Sequence, residues 1–197
     1  MPTRALCTPV GPAGLSPATV LCTQTLVVRG KLNATLYSES HVVPARNRVW
    51  QGALAAQVER VLWLDADVSA GHEELARWLD AQDKLFELDE RHACVGAVVA
   101  RRGGGWAFDY DQDRQVPLYL GMGLVYWHVS RVVNALRRGG RPEEFPFQWV
   151  QPWSEDYDVA RFLHANGAWQ LLDASLATAH QGVGIWPGGV APYEVKR

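Results

Sequence analysis

The stretch Val61-Leu62-Trp63-Leu64-Asp65-Ala66-Asp67-Val68 limits what this chain can fold into more than any other. Its four leading apolar residues do not alternate with polar ones, the pattern of an inner strand in a parallel sheet covered on both faces. The run then stops at two carboxylates. In an extended backbone Asp65 and Asp67 point the same way, and in open α/β sheets ligands bind at the carboxyl ends of strands. Two acids held this close repel unless a cation lies between them. A divalent cation with a hard-oxygen preference, Mn²⁺ or Mg²⁺, shared with substrate phosphates, suits such a pair. Asp-x-Asp alone is equally the end of a strand followed by a helix cap.

The chain before this stretch alternates strand and helix signals. Residues 4–8 read as a strand, residues 9–14 as a Pro/Gly-rich loop, and Ser16 as an N-cap with Pro17 at the first helical position and Gly30 closing the helix. Residues 32–37 alternate apolar and polar as a second strand, and Pro44 opens a helix running to about Gln57. This β-α-β-α-β order is a nucleotide-binding half sheet. In such a sheet the loop after the first strand faces the ligand, which places Thr8, Pro9 and Val10 against a base or ribose; an ordinary tight turn explains them equally well.

With 197 residues the chain is most simply one α/β domain. No apolar run approaches a membrane span and no apolar signal core opens the chain, so the expectation is a protein of the cytoplasm with no membrane partner. Cys7, Cys22 and Cys94 are odd in number and set in apolar surroundings, as buried thiols are. A net charge of −2 leaves no global attraction to nucleic acid, so any such contact must come from local basic clusters. Nine tryptophans are the compositional oddity: most belong in the core, and some suit stacking on sugars or bases.

Beyond the acids, Ser69 is placed to cap a helix with Glu73 and Glu74 in its early turns and Leu75, Trp78 and Leu79 as its buried stripe. A strand is expected over 93–100, then a basic loop from Arg101 to Gly105, either a solvated tip or a flap on phosphates. Residues 116–120 and 124–127 read as strands separated by Gly121-Met122-Gly123, and residues 131–138 as a helix closed by Gly139-Gly140. Residues 146–153 form an aromatic, proline-broken loop. It leads into Ser154-Glu155-Asp156 at the start of a helix, where a Ser cap and first-turn acids are ordinary dipole compensation. A last clear strand covers 169–173, followed by 175–180.

"VLWLDADV", with "PARNRVWQGAL" in front of it, resembles a nucleotide-sugar glycosyltransferase of the GT-A fold, of the small phage and bacterial kind and more distantly the fungal mannan-polymerase subunits. The resemblance runs from about Arg4 to His180. It implies a single Rossmann-like domain with a mostly parallel central sheet flanked by helices. Residues 1–68 would be its nucleotide-binding half, 93–180 its acceptor and catalytic half, and 181–197 a flexible tail or a lid over the donor.

The site residues implied are as follows. Asp67 and His180 hold the metal, with Asp65 on metal or ribose and Ala66 beside the donor. Arg46 and Asn47 contact the nucleotide, where a guanidinium near a diphosphate is physically sensible. Arg48 faces solvent. Gly121 and Gly123 line the acceptor side of the sugar pocket, where glycine lets a ligand approach the backbone. Asp156, or failing it Glu155, takes the proton from the acceptor hydroxyl. The reaction implied is metal-dependent transfer of a sugar, from UDP-glucose or a similar donor, by a hexosyltransferase.

For the acceptor, Trp149 and Trp153 with arginines 101, 102, 137, 138 and 141 suit a flipped 5-hydroxymethylpyrimidine in phage-type modified DNA. The same aromatics suit a surface glycan or a small molecule. Two readings of other classes stand beside these. "LWLDADVS" also resembles the first motif of haloacid-dehalogenase-type phosphatases, although about sixty residues precede it here and no convincing downstream Lys motif follows. The remaining possibility is a nucleotide-sugar binder without catalysis.

Overall fold

A computed structural model describes residues 2–10, 14–39, 41–99, 108–111, 116–151, 154–181 and 185–188. The first half runs β1 (Arg4–Val10), α1 (Pro17–Val28), β2 (Ala34–Glu39), α2 (Val42–Ala55) and β3 (Arg60–Leu64). Both β2 and β3 pair in parallel with β1, so the expected β-α-β-α-β half sheet is present. Ser16 caps α1, its hydroxyl accepting from the Thr19 N–H at 3.1 Å, with Pro17 at the first turn. The second helix starts earlier than Pro44. Pro44 occupies its third position, which is tolerated because the first N–H groups of a helix have no intrahelical partner.

After β3 come β4 (Val68–Ala70), α3 (His72–Leu88), β5 (His92–Ala97), β6 (Phe108–Asp111), β7 (Val116–Leu120) and β8 (Leu124–His128). The chain continues with α4 (Val129–Arg138), α5 (Glu155–Ala165), β9 (Trp169–Asp173), β10 (Thr178–Gln181) and β11 (Ile185–Gly188). The central sheet has the order β2-β1-β3-β8-β5-β9. Its strands are parallel except β8, which lies antiparallel between β3 and β5. A three-stranded sheet, β11-β10-β4, and a hairpin of β6 and β7 complete the topology. Ser69 therefore lies within a short strand, and Gly71, not Ser69, stands at the N-cap of α3.

β3 is buried along its whole length, as an inner strand must be. Trp63 on one of its faces meets Trp127 and Phe147 edge to face, with ring centroids 5.3 and 5.1 Å apart, and Trp127 in turn meets Trp50 at 5.5 Å. These fully buried rings account for three of the tryptophans. On the opposite face Leu62 and Leu64 pack with Leu75, Leu79 and Tyr126. The three cysteines are free and buried, and burial pushes the Cys7 and Cys94 thiols well above their ordinary range.

Far from the strand ends that carry Asp65, the sheet is fastened by charge. Asp83 of α3 accepts from Arg4 Nε at 3.1 Å, from Arg60 Nε at 3.0 Å and from the Tyr126 hydroxyl at 3.1 Å, while Arg4 also reaches Asp80. Arg4, Arg60 and Asp83 are all buried, so each charge depends on the others for its solvation. Arg131 of α4 donates to the carbonyls of Phe86 and Asp89, at the end of α3 where the helix leaves acceptors open, and to that of His92 at the start of β5.

Candidate active site

The β3 strand ends at Leu64, and the acids sit on the turn that follows. The Asp65 N–H donates to Gly123 O at 3.0 Å, continuing the ladder with β8, and the Val68 N–H donates back to Asp65 O at 3.0 Å. The Ala66 carbonyl accepts from the Ser16 N–H at 2.8 Å and anchors the start of α1. Because residues 65–67 turn, the period-two argument that points both acids one way does not apply. Each acid has its own partner.

Asp65 accepts from Arg46 Nη2 at 2.9 Å. The same guanidinium lies with Nε 3.3 Å from Glu155 Oε1, an ion pair without the alignment of a hydrogen bond. Arg46 is 3% exposed, over the rings of Trp63 and Phe147 at 6.0 and 5.7 Å. Neighbouring acids favour its charged form and offset the burial that opposes it. Glu155, at the first position of α5, is itself buried; burial pushes its carboxyl above the ordinary range while Arg46 opposes the shift. Asp156 is half-buried, and accepts from the Ser154 hydroxyl and from the Tyr157 N–H. The Ser154 hydroxyl therefore serves Asp156 rather than a helix N–H. Asp158 turns away from this cluster to pair with Arg141 at 2.7 Å.

Asp67 lies 3.2 Å from His180, Oδ2 to Nε2. Their meeting follows from register: β10 pairs antiparallel with β4, setting His180 opposite Val68, next to Asp67. Both side chains are partly open to solvent. Among the described residues no group of three or more His, Cys, Asp or Glu converges as a closed cage. One carboxylate and one imidazole with open positions fit a divalent ion that takes its remaining ligands from phosphate and water.

The other residues singled out in the sequence are placed as follows. Thr8 is buried on β1, and its hydroxyl has no hydrogen-bond partner; Pro9 follows, half-buried. Asn47 is buried and grips Phe147, its Nδ2 donating to Phe147 O at 2.9 Å and its Oδ1 accepting from Phe147 N–H at 3.1 Å. Arg48 is exposed. Gly121 and Gly123 are buried; a side chain at Gly123 would meet Val99 at 3.2 Å and Val68 at 3.5 Å, so packing alone accounts for a glycine there. Trp149 is 63% exposed. Trp153 and the loop 101–105 fall outside the described residues.

Sequence reasoning missed two parts of this arrangement: the tie from Arg46 to Glu155 and the grip of Asn47 on Phe147. Both join residues about 100 positions apart, and neither leaves a local pattern.

No family model and no curated protein matches the chain at a significant level. Solved structures do. A197 from STIV aligns at a TM-score of 0.59 with 13% identity, over 99% of this chain and 99% of that one. GalNAc-T7, solved with UDP, GalNAc and Mn²⁺, aligns at 0.53 with 12% identity over 91% of this chain. The fold is GT-A. The resemblance read from "VLWLDADV" is thus borne out at the level of architecture. The chain spans 44% of the GalNAc-T7 chain. No helix among the described residues of this GT-A chain is long and apolar enough to cross a membrane.

Proposed function

We propose that this GT-A chain transfers a sugar from a nucleotide-diphosphate sugar, with UDP as the nucleotide, to an acceptor hydroxyl. The carrying observation is the Asp67–His180 pair at 3.2 Å, partly open to solvent just past the end of β3. Asp67 and His180 hold Mn²⁺ or Mg²⁺ in this reading. The ion supplies charge compensation to the departing diphosphate, where negative charge grows in the transition state. UDP and manganese are favoured because GalNAc-T7, of the same fold, was solved with both.

The chain's own groups do the rest. Thr8, Pro9 and Ala66 border the donor in this reading. An acid of the Glu155-Asp156 pair takes the acceptor proton, and of the two Asp156 is the more open to solvent. Attack in line with the departing diphosphate would invert the sugar carbon.

Trp149 offers an exposed aromatic face to an acceptor. For a DNA acceptor the arginines matter, and three of the five are otherwise engaged. Arg137 pairs with Glu143, Arg138 donates to Asn166 O, and Arg141 is buried against Asp158. A glycan or small-molecule hydroxyl is therefore favoured over a hydroxymethylpyrimidine in duplex DNA.

The test is calorimetry of UDP-glucose binding with and without Mn²⁺, followed by release of UDP over a panel of acceptors that includes hydroxymethylated DNA. Metal-dependent binding that Asp67→Asn weakens at least tenfold is expected. Wild-type protein without affinity for any nucleotide sugar in the presence of either metal refutes the transferase. Transfer to hydroxymethylated DNA but to no saccharide restores the DNA acceptor.

A further inference from the structure

Arg46 has the chemistry of a phosphate ligand but not the placement of one. Its guanidinium is buried beneath the site, and Nη2, the nitrogen that leads toward the site, is committed to Asp65. Among the described residues Nε and Nη1 have no hydrogen-bond partner, and neither reaches solvent. A diphosphate arriving from solvent meets Asp65 and Asp67 before it meets this cation.

What Arg46 does reach is one acid on each side of the site. Asp65 follows β3, in the half that carries the donor-facing turn. Glu155 opens α5, in the half that contributes Asp156. The guanidinium lies 6.0 and 5.7 Å from the ring centroids of Trp63 and Phe147, and its burial between those rings and the two acids leaves it little room to shift toward one acid alone.

We propose that Arg46 is a positioning residue, a single rigid fork that holds the donor-side acid Asp65 and the acceptor-side acid Glu155 at a set separation, and that it does not ligate the diphosphate. The proposal rests on the transferase reading. It assigns Arg46 an effect on turnover through the two acids rather than on donor affinity. A planar guanidinium can address two carboxylates at fixed angles, which the point charge of lysine cannot.

The test compares wild type with Arg46→Lys, Glu155→Gln and the double variant in the full chain. UDP affinity with Mn²⁺ is read by calorimetry, and turnover of UDP-glucose is read as UDP released at saturating donor. Arg46→Met would leave two acids near a buried gap and is liable not to fold, so the lysine variant, which retains a cation, carries the experiment. Expected are UDP affinity within about threefold of wild type and turnover lowered roughly 10- to 100-fold, the usual penalty for removing an outer-shell partner. The double variant should be no worse than about threefold below the poorer single one, because both changes break one tie. A tenfold loss of UDP affinity at unchanged turnover would make Arg46 a direct ligand and overturn the proposal. So would losses that multiply in the double variant. Wild-type protein that binds no UDP refutes the transferase itself, an outcome distinct from either.

Discussion

Replacing Asn47 by alanine tests how the site is supported. The amide exchanges two hydrogen bonds, of 2.9 and 3.1 Å, with the backbone of Phe147, a residue 1% exposed. Asn47→Ala strands one buried N–H and one buried carbonyl. Each costs about 1–3 kcal/mol when left without a partner, for a total of about 2–6 kcal/mol. In a domain of this size 1 kcal/mol moves the melting temperature by about 2–4 °C, so a fall centred near 10 °C is expected.

The neighbouring Gln51 supplies the control. Its amide donates to Glu144 O at 3.2 Å in a solvent-exposed hydrogen bond, and Gln51→Ala should stay within about 0.5 kcal/mol of wild type. Urea unfolding followed by tryptophan fluorescence measures both, since Trp63 and Trp127 contact Phe147 directly. Equal midpoints for the two variants would refute the account of Asn47 as the residue that fixes this loop. Because the Phe147 ring also bounds Arg46, the alanine variant should lower turnover as well as stability.

Other perturbations act elsewhere. Asp83→Ala leaves Arg4 and Arg60 buried without their shared carboxylate and should destabilise the chain by about 3–5 kcal/mol, read from the urea midpoint. His128 is held down to about 4 from an ordinary 6.5 by burial and by the nearby charges of Arg60 and Arg131. A native state that keeps this ring neutral has its full stability above about pH 6.5 and loses it as pH falls toward 4; His128→Asn should flatten that acid limb in unfolding measured across pH. His180→Ala should weaken Mn²⁺-dependent UDP binding about 10- to 100-fold while leaving the melting temperature within a few degrees, an outcome calorimetry and thermal scanning separate.

Much of the architecture was legible because it is written in local periodicity. The unbroken apolar run 61–64 marked the buried strand, and Ser16-Pro17 marked the start of α1 where it stands. The acids after Leu64 stood out because the apolar run stops at them, although their spacing alone fits an ordinary strand end as well. The misreadings share a cause. Ser69 looked like a cap because β4 is only three residues long, too short for alternation to show, and its existence depends on pairing with β10. Residues 124–127 were legible as a strand, but nothing in them tells direction, so an antiparallel strand in the middle of the sheet was not foreseen. Asn47 was assigned to the nucleotide from the resemblance alone, and its two hydrogen bonds to the backbone of Phe147, 100 positions away, leave no local pattern.

The ladder between β4 and β10 puts an unusual demand on chain length. His180 stands beside Asp67 only while Thr178, Ala179 and His180 keep their partners Ala70, Ser69 and Val68. A slip of one residue turns alternate side chains to the opposite face. Inserting or deleting one residue between Asp173 and Thr178 is thus a way to remove the imidazole without mutating it, and a matched pair of such edits, one lengthening and one shortening the connection, would return it.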